Sequence, residues 1–262
     1  MSLPKVALVT AGSAGLGAAV ARVLALELGM SVVINYSQNA SRAQALVHEL
    51  QKSYKTTSDG AKPSYHAIQA DLSKKEDVKR LAQEAATAAG GRLDVVVSNV
   101  GWTKVRDFMN LDDGMDEEDW DSCLGVNVKS HLWLFHAARP FLEESNTRDE
   151  GGAVFVSTAS VAGVKPSGSS LPYAVSKAAQ IHLIKSLALI AAPTIRVNSV
   201  SPGLLMTEWG LSFPQEKIEA TRQTNKLKRF ATVEDVAAQI KTFVQSRTVT
   251  GQNAVIDGGF TL

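Results

Sequence analysis

The sequence predicts an α/β fold in which helices cover both faces of one parallel, doubly wound sheet of seven strands. Short runs rich in β-branched residues alternate with helix-periodic segments along all 262 residues. Several of these runs are apolar without alternation, which is typical of strands that are buried on both faces. The repeated β-α-β-α order favours right-handed crossovers and the strand order 3-2-1-4-5-6-7.

We expect one domain over residues 1–262. Its predicted strands are Val6–Val9, Ser31–Asn35, His66–Ala70, Leu93–Ser98, Ala153–Ser157, Ile195–Val200 and Ala254–Ile256. Helix N-termini are expected at three pairs of residues with capping spacing, which are Ser41 with Gln44, Ser73 with Glu76, and Thr232 with Asp235. Polar surface segments are expected at Lys52–Ser64 and Glu143–Gly152, and a mobile lid at Leu204–Arg229, where aromatic and charged residues follow a Pro-Gly pair.

Charge and cysteine content exclude several classes of protein. The net charge is +1 from 27 basic and 26 acidic residues, so no global field attracts nucleic acid or an anionic membrane. Cys123 is the only cysteine, which excludes an internal disulfide and suits a reducing compartment. The first apolar run follows Met1 without a basic leader, and no apolar stretch is expected to span a membrane. We therefore expect a cytoplasmic protein.

A glycine-rich turn between the first strand and the first helix is typical of a phosphate-binding loop. It spans residues 10–17 with the spacing G-x-x-G-x-G. Glycines let backbone N–H groups approach a pyrophosphate, and the helix N-terminus adds partial positive charge. A tight turn without ligand, or a methyltransferase with a related sheet, remains an alternative at this point. The predicted cofactor contacts in the loop are Gly12, Ser13, Gly15, Leu16 and Gly17.

The end of the second strand favours NADP over NAD. An acidic residue near this position commonly binds the adenosine ribose and would repel a 2′-phosphate. The segment 35–39 carries no acid. Tyr36 and Ser37 are therefore predicted to contact the cofactor, and Arg42 follows a few residues later. NAD is the less favoured alternative.

Tyr173 and Lys177 are a candidate acid/base pair at the start of a long apolar helix. They lie four positions apart and so share one helix face. A phenol has a reference pKa of ~10, and a nearby ammonium favours its ionised form. The Y-x-x-x-K spacing alone is more often found on ordinary surfaces. Ser160, thirteen positions before Tyr173 at a strand end, places a hydroxyl where it can bind the carbonyl oxygen that the phenol protonates.

Together the glycine loop, Ser160, Tyr173 and Lys177 resemble the short-chain dehydrogenase/reductase family, in its compact single-domain branch with a Rossmann-type fold. The match extends over nearly the whole chain, with the motifs in the family's order. The resemblance implies that Asn127 is a fourth catalytic residue, which helps to hold a proton-relay water. It also implies that Tyr173 and Lys177 contact the cofactor, together with Asp71, Leu72, Asn99, Gly101, Pro202, Gly203, Leu205 and Thr207.

Two places depart from the family's pattern. Ala11 stands at its usual first glycine, where alanine resists a positive φ, and Gly12 is expected to adopt that turn instead. Ser98 and Val100 replace the usual Asn and Ala of the turn after the fourth strand.

The resemblance implies an NAD(P)-dependent oxidoreductase made of a single dinucleotide-binding and catalytic domain with a substrate lid. We expect NADPH-dependent reduction of a ketone to a secondary alcohol, with Tyr173 as the proton donor to a small-molecule substrate. An NAD-dependent alcohol dehydrogenase and a non-catalytic nucleotide-sensing scaffold are the alternatives. The family further implies a homotetramer, and specificity is expected to depend on the lid and pocket.

Other features of the sequence are less specific. Four apolar side chains near the motifs are candidates either for the substrate pocket or for packing, namely Trp102, Leu171, Trp209 and Phe213. The five histidines are scattered, so they are expected to be ordinary surface or core residues and no metal site is predicted.

Overall fold

The seven predicted strands form one parallel sheet in a computed structural model, which describes residues 3–54 and 62–262. The strands are β1 (Val6–Val9), β2 (Ser31–Tyr36), β3 (Tyr65–Gln69), β4 (Val95–Ser98), β5 (Val154–Thr158), β6 (Arg196–Pro202) and β7 (Asn253–Ile256). Their order is β3-β2-β1-β4-β5-β6-β7, which confirms the predicted topology. Every residue of β1, β4 and β6 is buried. The apolar runs of β1 and β4 indicated this, whereas β6 buries several polar side chains, among them Arg196 and Asn198.

Helices cover both faces of the sheet. They are α1 (Gly15–Arg22, continued by a π-helical turn over Val23–Glu27), α2 (Ala40–Ser53), α3 (Lys75–Ala88), α4 (Glu117–Leu124), α5 (Ser130–Arg148), α6 (Leu171–Ala191), α7 (Gln215–Thr224) and α8 (Val233–Gln245). On one face, buried side chains of α1, α2 and α8 pack on the sheet. On the other face, α3, α5 and α6 form a second apolar core. A π-helical turn over Gly125–Lys129 joins α4 to α5.

The strand order creates a crevice between β1 and β4. The chain winds outward from β1 to β3 and then crosses to β4 on the other side of β1. Ligands of open α/β sheets bind where the winding direction reverses, at the carboxyl ends of the strands. Thr10 connects the two sides of this point, because its hydroxyl accepts hydrogen bonds from the N–H groups of Asn99 (2.8 Å) and Val100 (3.3 Å). The fold therefore brings the glycine-rich turn beside the end of β4.

One of the three predicted helix caps is confirmed. Thr232 and Asp235 form a reciprocal capping box at the start of α8. The predicted box at Ser41 is wrong, because α2 begins two residues earlier and Asn39 caps it by accepting from the N–H of Arg42 (2.9 Å). The box at Ser73 is also wrong, because the Ser73 hydroxyl donates to Asp71 (2.7 Å), and no side chain caps α3.

The three predicted surface segments differ in how much regular secondary structure they contain. The segment Glu143–Gly152 is partly helical, since α5 continues to Arg148. The segment Lys52–Ser64 lies partly outside the described residues. Leu204–Arg229 contains α7 and a short turn over Gly210–Ser212.

Helix α6 is long and apolar enough to cross a membrane by length and composition, although no apolar stretch of the sequence was expected to do so. It is the one such helix in residues 3–54 and 62–262. Its buried Lys177 and Gln180 make hydrogen bonds inside the protein, and Ile184 packs in the core. One face of α6 therefore packs in the core against the sheet, while Leu189 and Ile190 are exposed on its remaining surface.

Candidate active site

A cavity of about 660 Å³ lies at the carboxyl edge of the sheet, at the predicted crevice. Its wall is formed by the segments that follow β1, β4, β5 and β6, together with the start of α6. Eleven of the predicted site residues line it, namely Gly15, Leu16, Asn99, Gly101, Ser160, Tyr173, Lys177, Pro202, Gly203, Leu205 and Thr207. Residues that are far apart in sequence thus share one wall.

The glycine loop is shaped differently from the prediction. The positive φ falls on Ala11 itself (47°) and not on Gly12. Asn35 compensates for this strained alanine, because its buried Oδ1 accepts from the Ala11 N–H (3.1 Å) and its Nδ2 donates to the Ala70 carbonyl (3.1 Å). One amide side chain therefore fixes the loop against the ends of β2 and β3.

The N-terminus of α1 opens into the cavity and suits a phosphate. Its N-cap residue is Ala14, which has no side chain that can satisfy the first N–H groups of the helix. Ala14, Gly15 and Leu16 all line the cavity. Unsatisfied N–H groups and the helix dipole together favour an anionic group here.

Ser160 and Tyr173 face each other across the cavity wall. Ser170 caps α6 by accepting from the N–H of Tyr173 (3.3 Å), and Ser160 accepts from the N–H of Ala162 (3.2 Å), so both segments are held at their ends. Burial raises the pKa of Tyr173 to about 12, while a hydrogen bond with Ser160 acts in the opposite direction. The phenol is therefore protonated at neutral pH and can act as a proton donor.

Lys177 lies deeper, behind the phenol. Its Nζ donates to the Thr158 carbonyl (3.1 Å) and to Gln180 Oε1 (2.8 Å), and it lies 5.7 Å from the centre of the Tyr173 ring. Burial lowers the pKa of Lys177 to about 7. The predicted lowering of the Tyr173 pKa by this ammonium is not seen. Desolvation raises the pKa of the phenol, the hydrogen bond with Ser160 lowers it, and the ammonium instead donates to two acceptors of its own.

Comparisons with known proteins agree with this arrangement. Residues 10–261 match the profile of a family described as enoyl-(acyl carrier protein) reductase. The chain is 36% identical over 256 residues to a Streptomyces violaceoruber protein assigned as granaticin polyketide synthase ketoacyl reductase 2, covering 97% of this chain and 95% of that protein. This chain belongs to the short-chain dehydrogenase/reductase family.

Solved structures of this family superimpose on nearly the whole dehydrogenase/reductase chain. A short chain dehydrogenase from Burkholderia cenocepacia in complex with NADP has a TM-score of 0.85 and 32% identity, with 99% of both chains covered. A 3-ketoacyl-(acyl-carrier-protein) reductase from Brucella melitensis complexed with NADH has a TM-score of 0.84 and 25% identity, again with 99% of both chains covered. The family uses nicotinamide nucleotides, and these two structures contain NADP and NADH, respectively.

Asn127 of this dehydrogenase/reductase lies behind the cavity wall and does not line it. It is fully buried in the π-helical turn between α4 and α5. Its Oδ1 accepts from the N–H of Trp102 (2.8 Å), and its Nδ2 donates to the Trp102 carbonyl and to Ser176 Oγ (both 2.9 Å). The side chain therefore ties the segment after β4 to α6, and its part in a proton relay stays a prediction.

The remaining predicted cofactor contacts lie outside the cavity wall. They are Gly12, Ser13, Gly17, Tyr36, Ser37, Asp71 and Leu72. A side chain on Gly12 would meet Val9 O at 2.8 Å, and one on Gly17 would meet Asn99 Nδ2 at 2.9 Å, so packing within the protein already requires these two glycines. Leu72 is buried in the core, and the Asp71 carboxylate accepts from Ser73. Their contact with a cofactor stays a prediction.

Aromatic side chains form the outer part of the cavity. Trp102, Trp209 and Phe213 line it, and the last two pack edge to face with ring centres 5.0 Å apart. Leu171 does not line it and instead lies against Gly114. Trp209 and Phe213 belong to Leu204–Arg229, and so does Glu208, which pairs with Arg42 at the start of α2 (2.9 Å).

Sequence reasoning missed Asn35, His131 and Gln180 as parts of the site. All three are almost completely buried. The available signal was a polar residue inside an otherwise apolar strand or helix, which a buried position tolerates only with hydrogen-bond partners.

Proposed function

We propose that this dehydrogenase/reductase reduces a ketone to a secondary alcohol with NADPH. The observation that carries the proposal is the shared cavity wall of Ser160, Tyr173 and Lys177, next to the uncapped N-terminus of α1. A hydroxyl and a protonated phenol on one wall suit a carbonyl oxygen, because one orients it while the other protonates it.

In the proposed reaction, Ser160 Oγ donates a hydrogen bond to the substrate carbonyl oxygen and sets its position. The hydride for the carbonyl carbon would come from a reduced nicotinamide when the cofactor is bound in the cavity. Tyr173 transfers its phenolic proton to the oxygen, which becomes the alcohol hydroxyl. Lys177, whose ammonium is held near the phenol, stabilises the phenolate that remains until it is reprotonated.

The preference for NADP rests on the residues that follow β2. No carboxylate lies in segment 35–39 to repel a 2′-phosphate. Arg42 Nε is buried and has no hydrogen-bond partner within the described part of the chain, while Nη1 is paired with Glu208. The Arg42 side chain is 40% exposed, so its outer N–H groups suit a phosphate, because guanidinium groups bind phosphates through paired N–H groups.

The remaining properties extend this proposal. Specificity is assigned to the lid over Leu204–Arg229, which supplies Trp209 and Phe213 to the cavity. The single catalytic domain, the homotetramer and the cytoplasmic location stay predictions that follow from the sequence.

A panel of carbonyl compounds assayed with NADPH and with NADH tests the proposal. Ketones, a 3-ketoacyl thioester and an enoyl thioester are compared, since the matching family profile is described as an enoyl reductase. We expect ketone reduction with NADPH. In Tyr173→Phe, turnover is expected to fall by at least about 10²-fold, the usual contribution of a general acid, with NADPH binding nearly unchanged.

Tyr54→Phe is the matched control, because Tyr54 follows α2 and does not line the cavity. It is expected to retain wild-type kcat. Turnover of the enoyl thioester alone, or full activity in Tyr173→Phe, contradicts the proposal.

A further inference from the structure

A buried polar network extends from Lys177 into the core, away from the cavity. We name it the Gln180 network, and it consists of Lys177, Gln180, His131, Ser98 and Ser157. Lys177 is 3% exposed and the other four are fully buried. The members come from α6, α5, β4 and β5, so the network joins the catalytic helix to two central strands.

The Lys177 ammonium fixes the orientation of the Gln180 amide. An ammonium only donates, so the atom that faces it at 2.8 Å is the carbonyl oxygen Oε1. The amide nitrogen Nε2 then faces inward and donates to Ser157 Oγ (2.7 Å) and to the Thr158 carbonyl (3.1 Å). Every hydrogen-bonding atom of this buried amide therefore has a partner.

The same reasoning sets the tautomer of His131. Its Nε2 lies 3.1 Å from Gln180 Nε2, an amide nitrogen that cannot accept, so a ring nitrogen without a hydrogen avoids placing two N–H groups against each other. Nδ1 then carries the hydrogen and donates to Ser98 Oγ at 2.6 Å. Burial lowers the pKa of His131 to about 3, which agrees with a neutral ring. Ser98 is one of the positions where the sequence departs from the family's usual turn.

Gln180 supplies the one side-chain acceptor that Lys177 has among the residues the structure describes. The other acceptor is the Thr158 carbonyl, at the end of β5. An apolar residue at position 180 would leave the ammonium with that carbonyl alone, free to take other rotamers of its four-carbon chain. A buried charge that loses a hydrogen bond is also less stable as a charge.

We propose that Gln180 is a positioning residue that holds the Lys177 ammonium at the cavity wall, and that His131 and Ser157 lock the Gln180 amide in the orientation this requires. The inference rests on the proposed function, in which Lys177 acts on the phenol. Gln180 itself does not line the cavity, so it acts through Lys177.

Two substitutions at Gln180 are expected to shift the titration of Lys177 in opposite directions. Gln180→Met keeps the length of the side chain and removes the acceptor, so Lys177 loses its proton at lower pH. Gln180→Glu adds a negative charge, so Lys177 keeps its proton to higher pH. The other titratable groups that face Lys177 are Tyr173 on its own helix, Cys123 on α4 and His131 on α5.

The titration is measured as the pH dependence of the NADPH dissociation constant, from nicotinamide fluorescence, in a Tyr173→Phe background that removes the phenol. NADPH binding is expected to weaken as the pH rises and Lys177 loses its proton. Relative to Tyr173→Phe alone, we expect the midpoint of this change to move to lower pH in the Met variant and to higher pH in the Glu variant. In chains that retain Tyr173, the Met variant is expected to lower kcat about 10- to 100-fold, as loss of a hydrogen bond to a charge does, with the ketone KM changed less than about threefold. Shifts in one direction for both variants, or none, overturn the proposal.

A second test uses the wild-type protein, so its result does not depend on whether a variant folds. Nitrogen NMR of the His131 ring is expected to show a neutral imidazole with the hydrogen on Nδ1 at pH 7. The opposite tautomer, or a protonated ring, would mean that the Gln180 amide is reversed and would overturn the proposal. If the wild type reduces ketones with NADPH while these results fail, the inference is wrong and the proposed function stands. If the wild type does not bind NADPH, both are wrong.

Discussion

His131 is expected to make this protein sensitive to mild acid, because the folded chain cannot accommodate its proton. Burial, and then the charge of Lys177, lower the pKa of this histidine from 6.5 to about 3. The unfolded chain binds the proton below about pH 6.5, whereas the folded chain binds it only near pH 3. The folded-state pKa is the lower one, so the stabilisation is complete above pH 6.5 and is lost as the pH falls from 6.5 towards 3. At 1.36 kcal/mol for each unit, lowering the pH from 7 to 5 removes about 2 kcal/mol through His131 alone.

Urea unfolding at pH 7 and pH 5 measures this loss as a difference within each protein. His131→Gln replaces the ring with an amide that does not titrate in this range. We expect its free energy of unfolding to fall by about 2 kcal/mol less than that of the wild type between the two pH values. His182→Gln is the matched control, because His182 is exposed on α6, and it is expected to behave as the wild type. Equal losses in all three proteins would refute the reasoning.

Three further substitutions test the aromatic outer wall of the cavity and the predicted contact of Arg42 with the 2′-phosphate. Trp209→Ala removes one ring of the edge-to-face pair with Phe213. In steady-state kinetics, the KM for a bulky ketone is expected to rise about tenfold and the KM for a small ketone less than about twofold. Equal effects on both ketones would assign Trp209 to packing. Arg42→Met is expected to raise the KM for NADPH about 10- to 100-fold with NADH unchanged, because it removes a charge-assisted hydrogen bond to the 2′-phosphate. Equal effects of Arg42→Met on both nucleotides would contradict the NADP preference. Glu208→Gln frees Arg42 from an exposed ion pair and is expected to improve NADPH binding by no more than about fivefold.

The sheet could be predicted because its signal is distributed over many residues. Strands such as β1 and β4 are short apolar runs between turn residues, and burial on both faces removes the need for alternation. The order of the strands then follows from general rules of handedness, without reference to any one side chain. Helix starts were harder, since Asn39 and Ser41 are both good caps and only the length of the preceding turn decides between them.

The candidate site was predictable where a residue type at a fixed spacing carries the chemistry. Ser160, Tyr173 and Lys177 are of this kind, and the structure brings them to one cavity. The positive φ of Ala11 was not predictable, because it depends on Asn35 reaching the loop from the end of β2. An isolated buried polar residue shows in sequence only as an interruption of an apolar run, and its partners are known only once the strands are placed side by side.

The two sides of the cavity are held by interactions of very different strength, and this difference bears on where substrate specificity lies. On the inner side, Lys177 and Asn127 are buried and their polar side-chain atoms are bonded to neighbouring elements. Each such bond costs about 1–3 kcal/mol to leave unmade, so this wall tolerates little displacement. On the outer side, Glu208 is largely exposed, and its pair with Arg42 is worth at most about 1 kcal/mol. Displacing the outer segment therefore costs a substrate much less binding free energy than displacing the inner wall. We expect substitutions that change the substrate range to concentrate in Leu204–Arg229.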